Sequence, residues 1–296
     1  MWPTGRCCKR AGSKPSSTTH RIVWCNTVNK TELLNKFSKD PDERIVLARA
    51  LDQMDRALSR SIPCATQFLS PAQCSALEPL LAASGHPRRL FHGGYEGAER
   101  TVCVFLPDWL EGSDWQAEDE LSALECAFPP TGADFSGTGP THRDLLGGLM
   151  GIGLTREKVG DILMGDTAAQ IICLKEAAPI ILSQFDRAGR YRLRLREISL
   201  SDLTPAPAQV KVIHDTVSAL RLDAVLASGF SLARGKAAEA VAAGRVSVNH
   251  RECVKPDKPV AEGDILTCRG LGKCVVKTVG GRSRKGRIIL EIERYL

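Results

Sequence analysis

The sequence predicts an α+β fold made of several small units, on three observations. Apolar residues recur at helical spacing from Leu33 to Leu58, segments such as YRLRLREI at 191–198 alternate with period two, and Pro/Gly-rich breaks at 129–140 and 205–208 separate the periodic stretches. The 296 residues, 43% hydrophobic and 25% charged, suit two or three cores of ordinary size better than one large one.

Residues 1–27, MWPTGRCCKRAGSKPSSTTHRIVWCNT, are basic, rich in Ser and Thr, and without apolar periodicity, so disorder is expected there. Two readings stand: an organellar transit peptide, whose composition the segment resembles, or a non-native extension upstream of the true start. Residues 28–85 form a helical and α/β region. Asp40-Pro41 signals a helix start, a short strand falls at 66–69, and Ser70-Pro71 caps a helix that runs to about Ser84 before Gly85. Residues 86–204 form a central domain. Strands at 89–92 and 101–106 make a hairpin around GGYEGAE, and 121–128 is a third strand. HRDLLGGLMGIGLTREKVGDIL then leads to a strand at 168–173, a helix from Lys175 to about Asp186, Gly189 and the strand YRLRLREI. A linker at 205–219 precedes a last unit at 220–296.

The net charge of +6 is unevenly spread. Residues 1–30 carry six Lys/Arg and no acid, residues 205–296 carry sixteen Lys/Arg against nine Asp/Glu, and the middle is acidic by seven charges. Basic ends imply an anionic partner. The eleven cysteines include no CxxC pair and fit reduced, buried thiols, and Cys268 and Cys274 lack a nearby His at ligand spacing, so no metal is expected. No apolar run approaches the roughly 20 residues needed to span a bilayer, so no membrane partner is expected.

Catalytic signatures fail one after another. His142-Arg143-Asp144 matches part of a kinase catalytic loop, but Leu149 stands where asparagine is required and no DFG follows. No GxGxxG, P-loop, HExxH or GxSxG occurs, so no cofactor and no catalytic residue is assigned. A site assembled from distant residues stays open to enzyme readings.

The last ninety residues are more specific. Arg221-Leu222-Asp223 opens a short helix with Leu222, Val225 and Leu226 on one face, Gly229 ends it, and Ser231 caps a second helix with Ala233, Ala237, Ala240 and Val241 as its apolar stripe. Arg234 and Lys236 lie in the first turns of that helix, where the macrodipole disfavours cations, and a bound phosphate would supply the missing counter-charge. Gly244 stops the helix, and RVSVN alternates so that two valines face the core while Arg245, Ser247 and Asn249 face outward. A final hairpin pairs KCVVKTV with RIILEIERYL through GGRSRKG; Arg282, Arg284 and Lys285 of that loop, with Arg287 just after it, form a basic finger or, more plainly, a solvated tip.

RLDAVLASGF, RGKAAE, GRVSVN and EGDIL together resemble the S-four (αL-type) RNA-binding domain over about 220–268, with Ala233 where many such domains have serine. The resemblance implies phosphate contacts by Arg221, Arg234, Lys236 and Arg245, with Ser231 at the same face and Asn249 near the groove. HRDLLGGLMGIGLTREKVGDIL, AQIICLKE, YRLRLREI, RGLGKCVV and GGRSRKGRIILEIERYL extend the resemblance to the YlmH family over about 30–296, whose cyanobacterial and plastid relatives carry the label photosystem II S-four domain protein.

That family implies a central RNA-recognition-motif-like domain. It also implies a non-catalytic role in ribosome quality control, with rRNA and P-site tRNA of a stalled large subunit as partners, as a monomer in the cytoplasm, or in a plastid if the transit peptide is real. His142, Arg143, Arg156 and Lys158 form a second RNA-facing group, or else a capped helix start at Thr155 with solvated charges. The alternatives are an rRNA- or tRNA-modifying enzyme with an S-four appendage, and an assembly adaptor whose acidic middle binds protein. The expectation for the double substitution Arg221→Ala with Arg234→Ala is weaker RNA binding without change of fold.

Overall fold

A computed structural model describes residues 30–128, 139–207 and 209–295; the expectation for residues 1–27 lies outside them. Helix α1 (Lys30–Phe37) leads into α2 (Pro41–Arg60), where the Asp40 carboxylate accepts from the Asp42 amide and Pro41 fills the first turn. Strand β1 (Cys64–Ala65) follows, then α3 (Pro71–Ala83), closed at its start by a capping box: Ser70 Oγ accepts from Gln73 N, and Gln73 Oε1 from Ser70 N. The pair β2 (Arg89–His92) and β3 (Val102–Phe105) is the expected hairpin. Its other edge holds β1, in the order β1-β3-β2, so the hairpin joins the chain before it. Leu47, Leu51, Leu77, Leu80 and Phe105 close the core between this sheet and the helices.

The third expected strand lies in a different sheet from the hairpin. Strand β4 (Leu121–Ala127) starts a βαββαβ run with α4 (His142–Gly151), β5 (Val159–Met164), β6 (Ala168–Leu174), α5 (Ala178–Gln184), the ribbon β7 (Arg187–Ala188) and β8 (Tyr191–Arg192), and β9 (Arg194–Ile198). The sheet order β5-β6-β4-β9 is antiparallel throughout, the split arrangement that brings the first and last strands side by side. One face buries Leu124, Ile171 and Cys173 under Leu145, Leu149 and Ile181 of α4 and α5. The other packs Leu121, Ala123 and Ile172 on Val102 and Val104 of the first sheet and on Phe68 beside it.

YRLRLREI is therefore two strands. It breaks at Leu193, which is buried and donates its N–H to Asp186 O at 2.9 Å.

The C-terminal region is a six-stranded antiparallel sheet under two helices. Strand β10 (Val210–Val217) precedes α6 (Leu222–Phe230) and α7 (Arg234–Ala242), then β11 (Val246–Val248), β12 (Arg251–Glu252), β13 (Ile265–Cys268), β14 (Gly272–Arg282) and β15 (Ile288–Tyr295). The order is β10-β15-β14-β13-β11-β12. Leu222, Val225, Leu226, Ala237 and Val241 close onto Leu266, Val276, Leu290 and Ile292, while Ala233, expected in the apolar stripe, is exposed.

Gly229 does not end the first helix. A Cβ there would sit 2.9 Å from Cys274 Sγ, so glycine is what lets α6 lie on the sheet. Seven of the eight described cysteines are buried, and no described helix is long and apolar enough to cross a membrane.

Candidate RNA interface

The site grows from the start of α6. Asp223 is only 4% exposed, donates its backbone N–H to Pro256 O at 2.9 Å, and turns its carboxylate toward two arginines. Arg221 Nε and Nη2 donate to Oδ1 and Oδ2 at 3.1 and 3.2 Å, and Arg234 Nε donates to Oδ2 at 3.1 Å. Burial alone would push the Asp223 carboxyl up, but the hydrogen bonds and charges of Arg221 and Arg234 outweigh it and hold it below the usual carboxylate range.

The counter-charge that Arg234 needs at a helix start is thus inside the protein. It is not left to a phosphate, as the sequence suggests. Each guanidinium has further N–H groups, and the two side chains stay 42% and 54% exposed, so they are fixed in direction yet able to meet an anion. Removing both together strands a buried carboxylate, which contradicts the expectation that the double alanine substitution leaves the fold alone.

Ser231 is not the cap of the second helix. It is the C-cap of α6, in the left-handed region at φ 54°, and Ala233 holds the N-cap place of α7 with no side-chain bond. The physical reason is that α6 runs past Gly229 to Phe230, so the turn falls two residues later.

Asn249 is spent on the fold. With His250 it forms a two-residue turn with φ of 50° and 64° between β11 and β12; its Nδ2 donates to Asp264 Oδ1 at 2.8 Å and its Oδ1 accepts from Ile265 N at 2.9 Å. With Phe91, Glu99 and Thr101 of the first unit it lines a cleft that neither Arg221 nor Arg234 lines.

The basic finger is an ordered turn. Ser283 Oγ accepts from Arg287 N, Gly286 takes φ 74°, and Arg282 Nη1 donates to Gly286 O at 3.2 Å. Arg287 Nε donates to Thr216 Oγ1 at 3.0 Å, which brings its guanidinium back over β10. There it shares with Arg234 the lining of a cleft of about 320 Å³ walled by Thr216, Val217, Ala224, Leu232 and one acid, Asp215, whose Oδ2 accepts from Ser228 Oγ at 2.7 Å. The tertiary structure so joins two basic groups more than forty positions apart. Lys236, Arg245, Arg284 and Lys285 are exposed and have no carboxylate within 4 Å among the described residues.

The second expected group divides. His142 and Arg143 stand exposed in the first turn of α4, whose N-cap is Thr141. Arg156 instead donates to the carbonyls of Val159 and Gly160, and Lys158 pairs with Glu176 at 3.1 Å. Thr155 precedes a 3-10 turn without a side-chain cap bond, so the capped helix start is absent too. Beside Arg156, Arg100 donates to Phe68 O, Arg156 O and Val159 O, each at 3.1 Å, and burial together with the Arg156 charge pulls it down to about 10. These arginines brace the joint between the first two sheets.

Sequence reasoning passed over Asp223 as a site residue, although its place between two arginines in RLDAVLASGF and RGKAAE is visible. It also passed over the arginines at 187–196, read only as an alternating strand.

Residues 220–266 match the S4 domain, and residues 134–202 match the domain described as "Putative RNA-binding domain in YlmH". With the arginine-lined cleft, these matches place the protein in the class of S4-domain RNA-binding proteins. The chain is 35% identical over 266 residues to "Ribosome-associated protein quality control protein P2" of Bacillus subtilis (strain 168), covering 89% of this chain and 99% of that protein, and it belongs to the YlmH family. A solved structure, "Cell division protein ylmH from Streptococcus pneumoniae", is similar at 21% identity and a TM-score of 0.44, over 56% of this chain and 96% of that one.

Proposed function

We propose that this protein is a non-catalytic, monomeric RNA clamp of ribosome-associated quality control, acting in the cytoplasm on large subunits that carry a stalled peptidyl-tRNA. The relative's name supplies the pathway. The observation that carries the physical part is the shared cleft of Arg234 and Arg287, backed by Asp223. Two guanidinium groups lining one cleft suit a phosphate backbone passing between α7 and the hairpin tip, and Lys236, Arg284 and Lys285 extend the basic surface. Binding energy directed at rRNA and at the P-site tRNA backbone does the work, and no bond is made or broken.

The test is cosedimentation of the full chain with purified large subunits carrying peptidyl-tRNA, for wild type and Arg234→Ala with Arg287→Ala. Arg221 stays to pair with Asp223, so the fold is kept. The expected result is a salt slope lower by about 2, because two phosphates are no longer neutralised. Crosslinked reads scattered over modification sites would favour an enzyme, and an unchanged slope would sink the clamp.

A further inference from the structure

The βαββαβ unit raises its own question, because the surface that such a unit commonly offers to RNA is not free here. Four-stranded sheets of this kind bind single strands by stacking bases on aromatic side chains of the face away from the helices. In this chain β4 (LSALECA) and β6 (AAQIICL) contain no aromatic residue, and that face is packed against Phe68, Val102 and Val104.

The charge of the unit lies elsewhere. Positions 187, 190, 192, 194 and 196 are all arginine, with no lysine among them. Leu193 and Leu195 turn toward the core under α4 and α5, so Arg192, Arg194 and Arg196 point the other way. Arg196 is neutralised by a two-bonded pair with Glu125, at 2.8 and 3.0 Å. Arg187, Arg192 and Arg194 are exposed and have no carboxylate within 4 Å among the described residues. Arg187 stands directly opposite Arg192 in the β7–β8 ribbon, a like-charge pair that disfavours the ribbon unless an anion lies across it.

The ribbon is nevertheless held firmly. Ala188 is buried, Gly189 makes the turn at φ 57°, and a Cβ there would lie 3.7 Å from Asp144 Oδ1 in the first turn of α4. That approach sets Arg190, which lies against the Tyr191 ring at 5.1 Å, beside the helix start that carries Arg143.

We propose that Arg187, Arg192 and Arg194 form a second RNA-binding surface, separate from the S4 module, which grips the phosphate backbone of folded RNA. This rests on the RNA reading above. Three exposed guanidinium groups without an acidic partner among the described residues suit phosphates, whereas a protein partner would ask for apolar anchors that this ridge lacks.

The experiment is a salt titration of the full chain binding to purified large ribosomal subunits, with Arg187→Ala, Arg192→Ala and Arg194→Ala combined. The log–log slope should fall by about 3 and the affinity at physiological salt at least about tenfold. Melting should stay put or rise, since the opposed pair is gone. As a second variant, Arg192→Glu sets an acid opposite Arg187, so it should keep the ribbon and still lose affinity.

Wild-type binding with an unchanged slope in both variants overturns the second surface and leaves the clamp standing. Absence of wild-type binding sinks the RNA reading and this surface with it. Loss of polyglutamate binding in the variants, with subunit binding intact, overturns the inference in favour of an acidic protein partner.

Discussion

The turn at Arg156–Lys158 and the helix start at Arg234–Lys236 place the same kinds of residue at the start of a helical segment. In the first, Arg156 gives its donors to Val159 and Gly160 carbonyls and Lys158 is paired with Glu176. In the second, Arg234 spends Nε on Asp223 and keeps its outer edge in solvent, while Lys236 has no acidic partner among the described residues. A basic residue is a brace when backbone carbonyls surround its head. It is a contact when a buried acid holds only one side of it.

The contrast can be broken at several points. Arg100→Ala takes three carbonyl partners from the brace and should cost about 3 kcal/mol in urea unfolding, with the RNA affinity of the folded fraction unchanged. A matching loss of affinity would make the brace a contact.

Asp223→Ala should cost about 2 kcal/mol, a value kept low because both arginines are half in water, and it should also weaken RNA binding about tenfold by releasing their heads. Unaltered RNA affinity in a folded Asp223→Ala protein would show that the arginines need no positioning.

The same carboxylate sets a pH dependence. Its folded pKa lies below the unfolded value, so its stabilisation is complete above about pH 4 and is lost as pH falls through the folded pKa. Denaturant melts from pH 5 down to pH 2 should show that loss in wild type and a flatter profile in Asp223→Asn.

The smallest effects separate the two lysines. Lys158→Ala should cost about 0.3 kcal/mol and leave the salt slope alone, because its partner Glu176 is largely in water, which screens the pair. Lys236→Ala should leave stability alone and lower the slope by about 1. Equal behaviour of the two would erase the distinction.

Where local chemistry decides, the sequence was readable. Asp40-Pro41 and Ser70-Pro71 start helices as expected, because a short acceptor side chain and a proline act within one turn. RGKAAE and GRVSVN lie on a helix and a strand as read, and Val246 and Val248 are buried. Ser231 failed for a long-range reason: Gly229 looks like a stop, but it is required by Cys274, forty-five positions on, so the helix continues. The strand expected at 121–128 is present as β4, but its sheet was not legible, since alternation marks a strand and says nothing of its neighbour.

The sequence by itself determined the α+β class, the main helix starts, the basic C-terminal helix and its likeness to an RNA-binding module. Those follow from periodicity, caps and charge, which act over a few residues. Only the tertiary structure decided which cations remain available: Asp223 claims one side of two arginines, carbonyls claim Arg156, and Arg287 comes to line the same cleft as Arg234. Partner choice among charged groups depends on burial and distance, and both are set by packing between segments far apart in the chain.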